Sequence, residues 1–389
     1  MQPYIPREGW EEDLAELALM EFQEMQENIL LIMAARLEEI RQLTPEELKS
    51  IVKSAAVAVW INHDMALIRR AMNQMNRKYT PIVATIVNQL EGINFRYMQP
   101  YLDYRHKQIT RTMYRSGMEK RIQAMQKEVL HGLLNLSHTY CYAYGGTVSP
   151  IGQVYRRIVN KGVESVALGV ETFDKVMKSS MNDLAESGIK TLHWKDDEGK
   201  KKPVIRRADA HIRMNLMEGI FRINAAMQED AGEVFGADGV EISMHHLCAP
   251  DHLHVQGRQY TADAYARLNE RLKRPIGTMN CRHIAMPIIY GVSPAVHTEE
   301  EITEARQNST KIVKYNGREM TRYEASQKMR AMESDIRLMR SKLKAYKAAG
   351  WAQDAMAMQN SIKDEITKYK GFCGAVGLTE RLDRTKYYL

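Results

Sequence analysis

Apolar residues recur with helical spacing along most of the N-terminal half of the chain. From Trp10 to about Leu43 they return every three or four residues, with charged residues between them, which predicts an amphipathic helix. A second helix is expected to start at Thr44, which can cap it, with Glu47 closing a capping box. We expect that helix to reach about Lys78 and the chain to break at Thr80-Pro81, because proline lacks the amide hydrogen that a helix interior needs.

The middle of the chain mixes strand and helix patterns. Gly145–Pro150 predicts an inter-domain break, and a helical passage follows from Ser149 to about Ser187. Residues 189–194 and 204–205 have strand character on either side of a polar turn. Ala208–Phe235 carries a regular apolar stripe and predicts a helix, after which Val240–Met244 alternates in the way of a strand with one buried face.

The last hundred residues predict a helical hairpin. Thr321 and Glu324 have the spacing of a capping box. A heptad-like series of apolar residues then follows: Met329, Met332, Ile336, Met339, Leu343 and Tyr346. Gly350 ends this helix, and Ala352–Tyr369 can return along it. An intermolecular coiled coil would also cover the apolar seam, but the hairpin is favoured because its partner is next in sequence.

These patterns predict a mainly α fold with four regions. Residues 1–148 form long N-terminal helices, and 149–187 form a connecting helix. Residues 188–298 form a small α+β domain that holds most of the histidine and cysteine chemistry. Residues 299–389 form the C-terminal helical hairpin and tail.

Composition narrows the class of protein. Apolar residues make up 44% and charged residues 26%, which is ordinary for a soluble globular protein. The longest apolar run, Ile29–Ala35, is far shorter than the ~20 residues that span a bilayer, and the acidic N-terminus lacks a signal-peptide pattern. The four cysteines are too widely spaced for a small disulfide scaffold, so we expect synthesis in a reducing cytoplasm.

Two half-sites of histidine and cysteine predict a metal centre. Cys248-x3-His252 and Cys281-x-His283 are separated by 28 residues. Zinc binds thiolate sulfur and imidazole nitrogen, commonly four ligands in a tetrahedron, so we expect one structural Zn²⁺ on these four residues, with His245 as an alternative ligand. The spacing differs from a standard zinc finger. The competing interpretation is a metal-free turn in which the histidines donate to backbone carbonyls.

A metal-dependent nuclease or hydrolase is an alternative use of the same residues. His245 or His246, with Asn280 and His283, could surround a divalent ion. No pair of acidic residues flanks them, as a two-metal mechanism would require. The chain also contains no phosphate-binding glycine loop, nucleophile elbow or helical HExxH motif.

A basic stretch predicts a second kind of site. Residues 96–127 interleave arginines and lysines with tyrosines, and the net charge of +7 permits contact with a polyanion. We expect Arg105, Lys107, Arg111 and Arg115 to contact nucleic-acid phosphates, which would make the chain a DNA-binding protein with salt-sensitive affinity. The alternative is a solvated helix face, because such charge runs are common on helices.

A composite motif resembles that of a known family. His245–His252 (HHLCAPDH), Gln256–Tyr260 (QGRQY) and Asn280–His283 (NCRH) together are similar to tailed-bacteriophage minor capsid proteins. These form the head-morphogenesis group that includes the Mu F-like proteins and the phage minor capsid protein 2 group. The resemblance is good from about Gly188 to the C-terminus and only general over the N-terminal helices.

This resemblance implies a structural virion protein without enzymatic activity. It places the protein in the phage head interior or at the portal vertex, after synthesis in the bacterial cytoplasm. The implied partners are the portal protein, other phage head proteins and packaged DNA. The implied role is in head assembly, DNA packaging or genome delivery.

Overall fold

The computed structural model describes residues 4–5, 10–52, 54–167, 175, 179–180, 182–184, 188–197, 200–278 and 281–386. The fold is mainly α, as the apolar spacing predicts. The helices are α1 (Trp10–Arg41), α2 (Pro45–Val52), α3 (Ala56–Tyr104), α4 (Arg111–His138), α5 (Ile151–Ala167), α6 (Ala208–Phe235), α7 (Ala262–Arg271), α8 (Glu299–Thr310), α9 (Arg322–Ala348) and α10 (Ala352–Val376). The strands are β1 (Tyr140–Tyr144), β2 (Thr147–Pro150), β3 (Lys190–Asp197), β4 (Lys200–Arg207), β5 (Gly239–Ile242), β6 (Gln259–Thr261), β7 (Ala285–Ile288), β8 (Ile312–Tyr315) and β9 (Arg318–Thr321), and a 3-10 turn covers Leu382–Thr385.

Helix α1 lies at the centre of the helical body. Its apolar stripe, including Phe22, Ile29 and Met33, is almost fully buried and packs against α3 and α6. Helix α3 in turn packs against α4 and α6, and the rings of Tyr101 and Phe235 stack with centroids 4.3 Å apart. Each such buried side chain contributes about 1.5–3 kcal/mol, so these helices hold one another in place.

One buried carboxylate fixes α1 to α3 and α5. Asp64 on α3 is 3% exposed and accepts hydrogen bonds from Nε and Nη2 of Arg36 at 2.9 and 3.0 Å. The hydroxyl of Tyr155 on α5 also donates to it. Burial acts to raise the pKa of Asp64, but these donors outweigh it and hold the pKa below its ordinary value of 3.8.

Two predicted helix boundaries are wrong. Thr44 and Glu47 form the expected capping box, with N–H to side-chain distances of 2.8 and 3.3 Å, but the helix they start ends at Val52 and not near Lys78. Helix α3 then runs through Pro81 without a break. A proline inside a helix costs about 3 kcal/mol, and α3 offsets this cost because it buries side chains in the core on both sides of that residue.

A four-stranded antiparallel sheet follows the first helices, in the order β2-β1-β3-β4. The segment predicted as an inter-domain break supplies the β1–β2 turn, where Gly145 and Gly146 have φ of +56° and +74°. The strand character predicted for residues 189–194 and 204–205 is confirmed, because these segments fall almost entirely within the antiparallel pair β3 and β4. Strand β1 pairs with β3, so the sheet joins the N-terminal helices to the middle of the chain.

Helix α6 has the predicted bounds and ends at Gly236, whose φ of +73° is the left-handed cap that glycine allows. It leads into the three-stranded antiparallel sheet β6-β5-β7. Gly239 is required at the start of β5, because a Cβ there would lie 2.6 Å from the carbonyl oxygen of Tyr260. Strand β5 lies in the middle of the sheet, between β6 and β7. The histidines and cysteines lie in the loop that joins β5 to β6 and in the segment that precedes β7.

The C-terminal helical hairpin is confirmed. Thr321 and Glu324 make both bonds of the capping box, and α9 packs antiparallel on α10 after the turn at Gly350. Their shared core includes Ile336 and Phe372. Lys344 on α9 pairs with Glu27 on α1 at 2.7 Å, which ties the hairpin to the helical body.

The body of the fold shares one hydrophobic core. It includes Leu14, Tyr155, Phe221, Met286 and Ala345, which together come from all four predicted regions. The four-way division itself stays a prediction. Residues 168–187 of the predicted connecting helix lie largely outside the described part of the chain.

Candidate metal centre

Antiparallel pairing of β5 with β7 brings the two half-sites together. Beyond the last pair of strand residues, the amide of Ser243 donates to the carbonyl of Ile284 at 2.9 Å. The loop after β5 therefore starts beside the segment that precedes β7. A tight turn in that loop, closed by the amide of His252 on the carbonyl of Ala249 at 3.1 Å, points His252 back towards Cys281.

Three side chains form a compact group of ligand atoms. Sγ of Cys281 lies 3.4 Å from Nδ1 of His252 and 3.3 Å from Nδ1 of His283. All three residues are at most 3% exposed, and one ligand atom from each lies within 4.8 Å of the others. Tetrahedral zinc with ordinary Zn–S and Zn–N bond lengths would separate sulfur from nitrogen by about 3.6 Å. These two sulfur-to-nitrogen distances match those of a tetrahedral zinc site.

Carbonyl oxygens orient both imidazoles. Nε2 of His252 donates to the carbonyl of Arg274 at 2.6 Å, and Nε2 of His283 donates to Oε1 of the fully buried Gln256 at 3.2 Å. With the proton on Nε2, each ring presents the lone pair of Nδ1 to Cys281. This is the arrangement that metal-binding histidines commonly have, with the second nitrogen held by an oxygen.

Burial sets the charge of the group. It lowers the pKa of His283 to about 2 and also lowers the pKa of His252, so both imidazoles are neutral near pH 7, as metal ligands must be. Burial raises the pKa of the Cys281 thiol. A thiolate at this position therefore needs a nearby cation, and a bound metal ion would supply one.

Cys248 and His245 lie beside this group. Sγ of Cys248 is 3.5 Å from Nε2 of His283, on the opposite side of the ring from Cys281, and burial raises the pKa of its thiol to about 12. Nε2 of His245 donates to the carbonyl of Arg282 at 2.6 Å, and its ring packs edge-on to that of His283. That either residue is the fourth ligand stays a prediction.

Comparison with known families identifies the class of protein. A family model for phage minor capsid protein 2 matches residues 13–373, which include the helical body, the His/Cys group and most of the C-terminal hairpin. The chain belongs to this family. A search of curated proteins and a search of solved structures each returned no match.

Membership of the phage minor capsid protein 2 family confirms the resemblance seen in the composite motif, and it extends the likeness to the N-terminal helices. The protein is a structural component of a phage capsid, so it belongs to the virion and has other phage head proteins as partners. In the described part of this family member, no helix is long and apolar enough to cross a membrane.

The four cations predicted to bind nucleic acid have partners within this capsid protein. Nε of Arg105 donates to the carbonyl of Phe235 at 3.2 Å, and Lys107 donates to that of Val234. These two bonds attach the end of α3 to the end of α6. Whether either cation also contacts DNA stays a prediction.

The other two cations neutralise one buried acid. Arg111 and Arg115 on α4 each donate to a different carboxylate oxygen of Glu91, at 2.7 and 3.0 Å. Tyr97 and Tyr114, from the same basic stretch, are buried. Asn280, which the nuclease interpretation requires, lies outside the described residues.

The sequence assigns no role to two supports of the His/Cys group, although Gln256 and Asp251 lie within the composite motif. Gln256 has the appearance of an ordinary loop residue, and only its depth in the fold makes it the partner of His283. The ion pair between Arg274 and Asp251, at 2.9 and 3.1 Å, spans 23 residues of sequence. It holds the carbonyl of Arg274 in place for His252.

Proposed function

We propose that the protein is a low-copy component of the phage head that lies at the portal vertex and contacts the portal protein during head assembly, DNA packaging or genome delivery. The observation that carries this proposal is the family match over residues 13–373. A closed symmetric shell repeats every site many times. A minor component therefore needs a place where that symmetry is broken, and in a tailed-phage head this place is the portal vertex.

Cross-linking in purified virions tests the location. An amine-reactive reagent followed by mass spectrometry should join lysines of this chain to the portal protein of the same phage. Exposed lysines lie on several faces, including Lys49 on α2 and Lys314 on β8, so a contact on any of these faces would be recorded. Cross-links confined to the major capsid protein, away from the portal, would contradict the proposal.

We infer that His252, Cys281 and His283 bind one structural zinc ion. The surrounding apolar cluster is small, with Ile242, Val255 and Ile276 among its few buried members. A metal that binds only the folded state stabilises a region that cannot form a large core of its own. Zinc depletion by a strong chelator should therefore lower the thermal unfolding temperature, and added zinc should restore it. No change on depletion would contradict the role.

The number of protein ligands distinguishes a structural zinc site from the metal-dependent nuclease alternative. Structural zinc is closed by four protein ligands, so this role requires Cys248 or His245 as the fourth, whereas catalytic zinc keeps one position for water. We expect no hydrolysis of single-stranded or duplex DNA by the zinc-loaded protein. Chelator-sensitive turnover that is lost in His283→Ala, without loss of helical content, would support the enzyme instead.

A further inference from the structure

An arginine-rich cleft opens beside the His/Cys group. It has a volume of about 810 Å³. One wall is α6 from Ala210 to Phe221, and the second is formed by residues 245–249, Arg274 and residues 281–283. The third is formed by the first turns of α9 and the segment after α10. Three separate parts of the sequence therefore meet around one concave surface.

The lining is strongly cationic. Arg213, Arg274 and Arg282 contribute from the first two walls. The third wall contributes four more: Arg322, Arg330, Arg381 and Arg384. Among the described residues that line the cleft there is no aspartate, glutamate or lysine. Guanidinium groups bind phosphate and carboxylate oxygens through paired N–H donors, so this lining selects an anion with oxygen ligands.

Several carboxylates outside the lining interact with these arginines. Arg213 pairs with Glu16, Arg274 with Asp251 and Arg381 with Asp383. Glu333 interacts with Arg384 and Arg330, and its pKa is raised by burial. A guanidinium in an ion pair keeps further N–H donors, so paired arginines can contribute to binding an anion.

The lining also provides surfaces for stacking. Tyr323 and the exposed His246 offer ring faces, and Met214 and Met329 offer polarizable sulfur. Nucleic-acid bases stack on such rings while their phosphates meet cations, whereas the side chains of an acidic peptide have no rings to stack. The volume is that of a pocket for a small ligand, which favours a short stretch of one strand over a duplex.

We propose that this cleft binds the phosphodiester backbone of single-stranded nucleic acid. Arginines from all three walls contact the phosphates, and Tyr323 and His246 stack on bases. The site is separate from the basic stretch of α3 and α4, whose cations pair with Glu91 and with the end of α6. It does not depend on docking at the portal.

Fluorescence anisotropy of a labelled single strand of about 20 nucleotides, with the full-length protein, tests this site. In Arg381→Gln/Arg384→Gln we expect about tenfold weaker binding at low salt, and a log–log salt slope reduced by about 0.7 for each lost phosphate contact. Both arginines lie in the C-terminal segment, away from the main core. The control Arg70→Gln/Arg77→Gln removes the same charge from exposed positions on α3 and should bind within about twofold of the wild type, because it leaves all the phosphate contacts of the cleft in place.

A second variant covers the case in which the double substitution does not fold. Thr379 is exposed in the lining, so Thr379→Glu adds a negative charge without removing a contact and should also weaken binding. Circular dichroism checks the fold of each variant. Three results would each overturn the proposal: no binding of the wild type at low salt, equal losses in the test and control pairs, or equal displacement by polyglutamate of matched charge.

Discussion

Replacing the arginines that face Glu91 tests whether the basic stretch of α4 acts within the fold. The side chain of Glu91 is 2% exposed, whereas those of Arg111 and Arg115 are 54% and 56% exposed. Each arginine binds one carboxylate oxygen. Loss of either one leaves the other in place, so Arg111→Gln or Arg115→Gln alone should cost about 1–2 kcal/mol, a charge-assisted bond discounted for its solvent-exposed side.

The double substitution should cost more than the two single changes together. It leaves a buried carboxylate with no cation, which costs about 3–5 kcal/mol. In a Glu91→Gln background the carboxylate charge is gone, and the arginine changes should cost less than about 0.5 kcal/mol. This difference is the coupling energy of a double-mutant cycle.

Urea unfolding followed by far-ultraviolet circular dichroism measures these free energies. Arg70→Gln on the exposed face of α3 is the matched control, and it should change stability by less than about 0.5 kcal/mol. The reasoning is refuted if Arg111→Gln leaves stability unchanged but weakens DNA binding, because the arginine would then be a phosphate ligand. Equal costs with and without Glu91 would refute it as well.

Three further changes have defined outcomes. Asp64→Asn should destabilise the protein by about 3–5 kcal/mol near pH 7. Because the pKa of Asp64 is lowered in the folded state, the stability difference between wild type and variant in urea unfolding should shrink as the pH falls below 3.8. A stability difference that stays constant with pH would contradict this reasoning. Gly257→Ala should cost about 2–5 kcal/mol by urea unfolding, since φ is +71° and the new Cβ would lie 2.7 Å from Ile302; a neutral effect would exclude this strain. Gln256→Leu should weaken zinc binding by about 10- to 100-fold in competition with a chromophoric chelator, because His283 loses its oxygen partner; unchanged affinity would remove Gln256 from the site.

Local sequence patterns predict a helix or strand correctly where its tertiary contacts favour the same structure. The bounds of α6 follow from its apolar stripe and from Gly236. The start of α9 follows from the capping box at Thr321. Pro81 shows where such reasoning fails, because burial in the core outweighs the lost hydrogen bond, and a single sequence does not reveal what α3 packs against.

In the candidate site, too, local spacing predicts some contacts and only the tertiary fold reveals the others. Period-two spacing places Cys281 and His283 on one side of an extended segment, and their contact distance agrees with this. The partnership of Arg111 with Glu91 spans 20 residues and looks, in sequence, like a free basic face. The arginine-lined cleft is still less visible, since its walls come from three distant segments that only the tertiary fold unites.

Native mass spectrometry of the purified full-length protein tests the metal centre most directly. The wild type should carry one zinc ion per chain, and Cys281→Ser should lose it together with thermal stability. Cys141→Ser is the matched control, because Cys141 is also buried but bonds the carbonyl of Lys190, away from the group; it should keep the ion. A metal-free wild type after zinc supplementation, or equal zinc in Cys281→Ser, would contradict a zinc site at His252, Cys281 and His283.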